Sequence, residues 1–110
     1  MRVVVTERAE TKLERAYDYG FAEFGINAVI RLQWKVEEML WLLRSQPYIG
    51  TPEMLLADNP RHYRYLVMLR VFKLIYYVDT EKDSVIITDL WDARMNQSVL
   101  AEETLHGDKQ

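Results

Sequence analysis

Arg61, Arg64, Arg70 and Lys73 fall within Asn59–Val78 (NPRHYRYLVMLRVFKLIYYV), a stretch without an acidic residue in a chain of net charge −3. Cations interleaved with Tyr63, Tyr65, Tyr76 and Tyr77 suit a phosphate or nucleic-acid site, because charge neutralises phosphate and rings stack on bases. The same residue types also make the middle of an ordinary sheet, where packing is the default role for three of the four tyrosines. Arg64, Lys73 and Arg94 are the candidates for an anion site across neighbouring strands. The competing expectation is that each is solvated or paired, Arg94 with Asp89 or Asp92. His62 could transfer a proton, although a surface or satisfied histidine is the commoner outcome. Trp91 reads as packing rather than chemistry.

Charge argues against a large nucleic-acid surface. Residues 1–46 hold seven basic and seven acidic side chains, and residues 47–110 hold seven and ten. Proteins that grip long nucleic acid by neutralising phosphate are usually basic overall. Cysteine is absent, which excludes disulfides and thiolate ligands and fits a reducing cytosol. His62 and His106 are far apart in sequence, so no metal and no cofactor is expected. No apolar run is long enough to span a membrane, and the apolar patch in MRVVVTERAE is too short for a signal peptide.

At 110 residues the chain reads as a single domain, with residues 99–110 as a tail. Arg2–Thr6 predicts a short strand, its three valines suggesting burial on both sides. Thr6 is an N-cap candidate, with Glu7 and Glu10 placed to favour a helix dipole. Ala9, Leu13, Ala16, Tyr17 and Phe24 keep helical spacing up to Gly25. A second helix is expected from a cap at Asn27 to about Ser45. Gln46–Pro60 reads as an irregular connection. Strands are expected over Tyr63–Met68, Val71–Val78 and Val85–Trp91, with a polar turn at Asp79–Ser84; the turn after Met68 carries no local signal. After Ser98 a helical turn is expected, then a frayed end over His106–Gln110. The class is α+β, in the order β-α-α-β-β-β: a mostly antiparallel sheet covered on one face by a helical hairpin.

The second helix has two apolar faces. Val29, Leu32, Val36, Met39, Leu40 and Leu43 form one stripe at helical spacing, the expected core face. Ile30, Trp34 and Trp41 lie nearly opposite. That second stripe is either a partner surface, for an antitoxin-like peptide or a homodimer, or is covered by the C-terminal tail.

The element order, with ERAYDYGFAEFG in the first helix, FKLIYYVD in the third strand and ITDLWDARMNQ at the end, resembles the RelE/ParE superfamily over about residues 2–98. That resemblance implies the cytoplasmic toxin of a prokaryotic type II toxin–antitoxin module, neutralised by a cognate antitoxin. RelE-like members enter the ribosomal A site and cleave mRNA without a metal, using basic residues on the sheet and a C-terminal tyrosine. ParE-like members poison DNA gyrase and lack that set. The RelE-type basic positions fall on Arg64, Leu66, Lys73 and Arg94, and the tyrosine position falls near Leu100. One basic position is therefore apolar and the tyrosine is missing, which favours the gyrase branch. Arg64, Lys73 and Arg94 keep the ribosome-dependent nuclease as the alternative, and a non-toxic relative of the same fold is a third reading.

Overall fold

The computed structural model describes residues 1–108. Its elements are β1 (Arg2–Val5), α1 (Glu7–Phe24), α2 (Ile26–Ser45), β2 (Thr51–Pro52), a 3-10 turn (Met54–Leu56), β3 (Arg64–Met68), β4 (Phe72–Asp79), β5 (Ser84–Asp92) and α3 (Gln97–Asp108). They form an α+β domain with one five-stranded sheet in the order β1-β5-β4-β3-β2. The expected meander is β3-β4-β5, all antiparallel, and β1 joins its edge parallel to β5.

Thr6 caps α1, its hydroxyl accepting from the Ala9 N–H at 3.3 Å. The cap of α2 differs from expectation. Gly25 takes φ 88° and joins α1 directly to α2, so Asn27 lies inside the helix and does not cap it. A positive φ of this kind favours glycine. Phe24, the last residue of α1 and expected at the spacing of its core stripe, is instead 72% exposed.

One face of the sheet packs on the hairpin. Leu66, Met68, Phe72, Leu74, Tyr76, Val85, Ile87 and Leu90 meet Ala9, Leu13, Leu32, Val36, Met39 and Leu43. The other face has a second core, which the expected one-sided cover did not include. There Tyr63, Tyr65, Ile75, Tyr77 and Trp91 pack with Leu56 and with Leu100, Ala101 and Leu105 of α3. The segment after Ser98 is thus a docked helix rather than a single turn. His106–Asp108 continues that helix instead of fraying, and the rest of the expected frayed end lies outside the described residues.

A β-bulge separates the two cores. Ile75 pairs with Asp89 but Tyr76 pairs with Ile87, leaving Thr88 as the extra residue. Strict alternation would put Ile87, Asp89 and Trp91 on one face. The extra residue reverses the phase, so Ile87 faces the hairpin while Asp89 and Trp91 turn toward α3. Tyr76 and Tyr77 do take opposite faces, one in each core.

Two more local expectations need correction. Val3 and Val5 pack on the first core but Val4 is exposed, because β1 is an edge strand with one covered face. Within Gln46–Pro60, Thr51 and Pro52 form a short edge strand against Tyr65 and Arg64. The turn after Met68 has Leu69 and Arg70 at φ 51° and 62°, closed by the Val71 N–H on the Met68 carbonyl at 3.2 Å. Consecutive left-handed residues define a type I′ turn, normally Asn-Gly.

Candidate functional site

Lys73 sits in β4 opposite Val67 and Trp91, on the face that carries α3. Its Nζ lies 2.7 Å from Glu53 Oε1, 4.2 Å above the Tyr65 ring and 5.8 Å from the Trp91 ring. Glu53 is buried, and its Oε2 accepts the Leu55 N–H at 3.2 Å. The ammonium is therefore enclosed by one carboxylate and two aromatic faces, which satisfies its charge within the fold.

Arg64 lies in β3 on the opposite side of the sheet, in register with Tyr76. Its Nη1 donates to the carbonyls of Gly50 (2.7 Å) and Tyr48 (3.2 Å), and its guanidinium rests 5.5 Å over the Tyr48 ring. Gly50 in turn donates its N–H to the buried Tyr76 hydroxyl at 2.8 Å. Burial pushes the Tyr76 phenol up, partly offset by that N–H and by the Arg64 charge. A Cβ on residue 50 would fall 2.5 Å from the Tyr76 hydroxyl, so only glycine lets the backbone pass this close.

Arg94 follows β5 and is exposed. It forms a fork with Asp92, Nε to Oδ1 at 2.9 Å and Nη2 to Oδ2 at 2.7 Å, and its backbone N–H also donates to Oδ1. The hydrogen bond from the Arg94 side chain holds the Asp92 carboxyl below its ordinary value. Asp92 is thus the competing carboxylate anticipated for Arg94; Asp89 is not. Asp89 is buried in β5, where it meets Lys12 of α1 at 2.7 Å and accepts the Thr104 hydroxyl at 2.6 Å. The Trp91 indole donates to the same threonine oxygen at 3.0 Å, so this cluster fastens α1, β5 and α3 together.

The three candidate cations do not meet. Arg64 and Lys73 face opposite sides of the sheet, and each of the three lines a different cavity: Arg64 beside His62 and Tyr77, Lys73 beside Glu53 and Leu55, Arg94 beside Tyr19 and Phe72. Leu66 packs into the first core and Leu100 into the second. His62 is exposed, with φ 56°. Among the described residues, no three His, Asp or Glu side chains converge to hold a metal ion, and no helix is long and apolar enough to cross a membrane.

The outward stripe of α2 is open. Trp34 and Trp41 are 71% and 72% exposed, and Ile30 is exposed beside them. Among the described residues the C-terminal segment does not cover this stripe, because α3 packs on the far side of the sheet. Phe21, Phe24 and Ile26 at the hairpin tip are exposed as well. Sequence periodicity missed Phe24 because its spacing matched the core stripe of α1.

The chain matches the family model of the ParE toxin of the type II toxin–antitoxin system, parDE, over residues 3–97. No curated protein matches it. Among solved structures it is similar to a chain of the chromosomal ParDE toxin–antitoxin system from P. aeruginosa, at 18% identity and TM-score 0.66, covering 84% of this chain and 95% of that one. It is also similar to the isolated E. coli RelE toxin, at 18% identity and TM-score 0.54, covering 96% of each chain. At that identity the two structures speak for the fold, while the family model covers most of the sequence. The chain belongs to the ParE toxin family of type II toxin–antitoxin systems.

Proposed function

We propose that this toxin acts on DNA gyrase by binding, and is neutralised by an antitoxin that covers the outward face of α2. The observation that carries the first half is the dispersal of Arg64, Lys73 and Arg94. Metal-free RNA cleavage needs the 2′-hydroxyl deprotonated, the leaving oxygen protonated and phosphate charge neutralised at one place. Here Lys73 is committed to Glu53, Arg94 to Asp92 and Arg64 to two carbonyls, on separate surfaces. Leu100, near which the resemblance places the RelE-type tyrosine, is core. Under nuclease chemistry the work would fall to those same three cations, and they would first have to leave their partners.

Family membership brings an antitoxin as partner. Ile30, Trp34 and Trp41 fit it because large exposed aromatics on a rigid helix are the usual anchors of a protein interface. Alanine at both Trp34 and Trp41 should weaken antitoxin binding by at least about 2 kcal/mol, the hot-spot range, with folding intact; unchanged affinity in a titration would remove the surface from the account. Size-exclusion chromatography of the free toxin distinguishes the other occupant, a second copy.

The cellular test is timed induction without antitoxin. DNA breaks and filamentation while translation continues are the expected result. Rapid translation arrest with new mRNA 5′ ends would overturn the gyrase reading in favour of the nuclease.

A further inference from the structure

Packing accounts for most of the aromatics between Asn59 and Val78, but it does not explain the cluster of cations at the start of that stretch. Arg61, His62 and Arg64 line an open cavity of about 540 Å³ together with Tyr48 and Pro60. Asp79 at the end of β4 and Thr80 and Glu81 of the following turn line it as well, with Tyr77 and Val78. The volume is in the range of small-molecule sites.

The basic side is built rather than incidental. Asn59 Oδ1 accepts the Arg61 N–H at 2.9 Å and the Asn59 carbonyl accepts the His62 N–H at 3.1 Å. That turn places His62 in a left-handed conformation and directs Arg61 onto the Tyr77 ring at 4.7 Å, with Nη1 donating to the Tyr63 hydroxyl at 3.2 Å. Arg64 is held over Tyr48 in the same manner. Two guanidiniums fixed against rings lose little freedom when an anion arrives. Asp79 Oδ1 accepts the Lys82 N–H at 3.2 Å and keeps the turn after β4 tight, with Glu81 within that turn.

We propose that this cavity binds a guanine nucleotide, free or as one residue of a single strand. The phosphate lies against Arg61 and His62, with Arg64 lending its charge at longer range while its Nη1 stays on the Tyr48 and Gly50 carbonyls, and the base edge lies against Glu81. A purely anionic ligand would be repelled by Asp79 and Glu81, whereas a nucleotide offers a phosphate at one end and hydrogen-bond donors at the other. Guanine presents two adjacent donors, N1–H and N2–H₂, that match both oxygens of one carboxylate, whereas uracil presents one imino donor between two carbonyls. The proposal holds whether or not gyrase is the target.

The test is amide chemical-shift titration of the isolated protein with GMP, UMP and inorganic phosphate, and then with short single-stranded oligonucleotides of G or U. GMP should shift amides of residues 59–64 and 77–81 and bind roughly five-fold or more tightly than UMP, the low end of what one bidentate base contact provides. Glu81→Gln, at an exposed turn, should erase that preference, and Arg61→Gln should weaken both nucleotides. Stronger binding of the G oligonucleotide than of GMP would identify the strand as the source. Absence of shifts with GMP, equal binding of GMP, UMP and phosphate, or a preference that survives Glu81→Gln would each overturn the proposal.

Discussion

Lys73 shows how a residue suited to chemistry can be absorbed by structure. Its ammonium and the Glu53 carboxylate sit 2.7 Å apart, with the Tyr65 and Trp91 rings 4.2 and 5.8 Å from the same nitrogen. Removing one partner of a buried pair leaves the other charge desolvated, at about 3–5 kcal/mol; replacing both with apolar groups is often neutral. Lys73 keeps some exposure, so Glu53→Gln should cost about 3 kcal/mol in denaturant unfolding. Lys73→Met together with Glu53→Leu should recover most of that loss and, on the gyrase reading, leave toxicity intact. A doubly apolar variant that folds and is harmless would mean that the pair serves function. Arg94 differs in kind, because its partner Asp92 is on the surface and the fork between them is open to solvent. Nothing in the sequence distinguished the two cases: Glu53 lies twenty residues before Lys73, in a segment with no clear element.

At the level of elements, the turn after Met68 carries backbone strain that sequence reasoning had no means of locating. Leu69 and Arg70 both adopt positive φ, where a side chain costs roughly 1–2 kcal/mol per residue. Leu69→Asn with Arg70→Gly should therefore stabilise the fold by about 1 kcal/mol in thermal or urea unfolding, the gain reduced by glycine's larger unfolded-state entropy. Destabilisation would show that Leu69 or Arg70 makes contacts that outweigh the strain. The bulge at Thr88 was hidden for a related reason. Alternation of apolar residues along SVIITDLWD does not mark an extra residue, since Ile87 and Trp91 look equally suited to one face. Helices were the more legible elements. Thr6 declared the start of α1, and of the expected α2 stripe Val29, Leu32, Val36, Met39 and Leu43 are buried, with Leu40 partly so. For α3 only an initial helical turn was legible, because Gln97–Asp108 has no sustained apolar stripe; Leu100, Ala101, Thr104 and Leu105 dock it against Trp91 and Asp89.

For the whole molecule, the consequence is a sheet closed on both faces with apolar surface left at the hairpin. Element order and quoted motifs were enough to reach the RelE/ParE superfamily, and the family model narrows that to ParE. Which cations would gather in space was not legible, because face assignment depends on the bulge and on edge segments whose pairing is long-range. Once placed, Arg64, Lys73 and Arg94 occupy three surfaces, and the exposed Trp34 and Trp41 sit on a fourth. That distribution is the support for the proposed action by contact on gyrase. The most direct measurement mixes the purified toxin with DNA gyrase, ATP and supercoiled plasmid, and traps cleaved DNA with detergent; a parallel reaction maps mRNA 5′ ends on translating ribosomes. The account predicts gyrase-dependent linear DNA that disappears when the antitoxin is added, with no new mRNA ends. Unchanged plasmid together with toxin-dependent cleavage of ribosome-bound mRNA would contradict it.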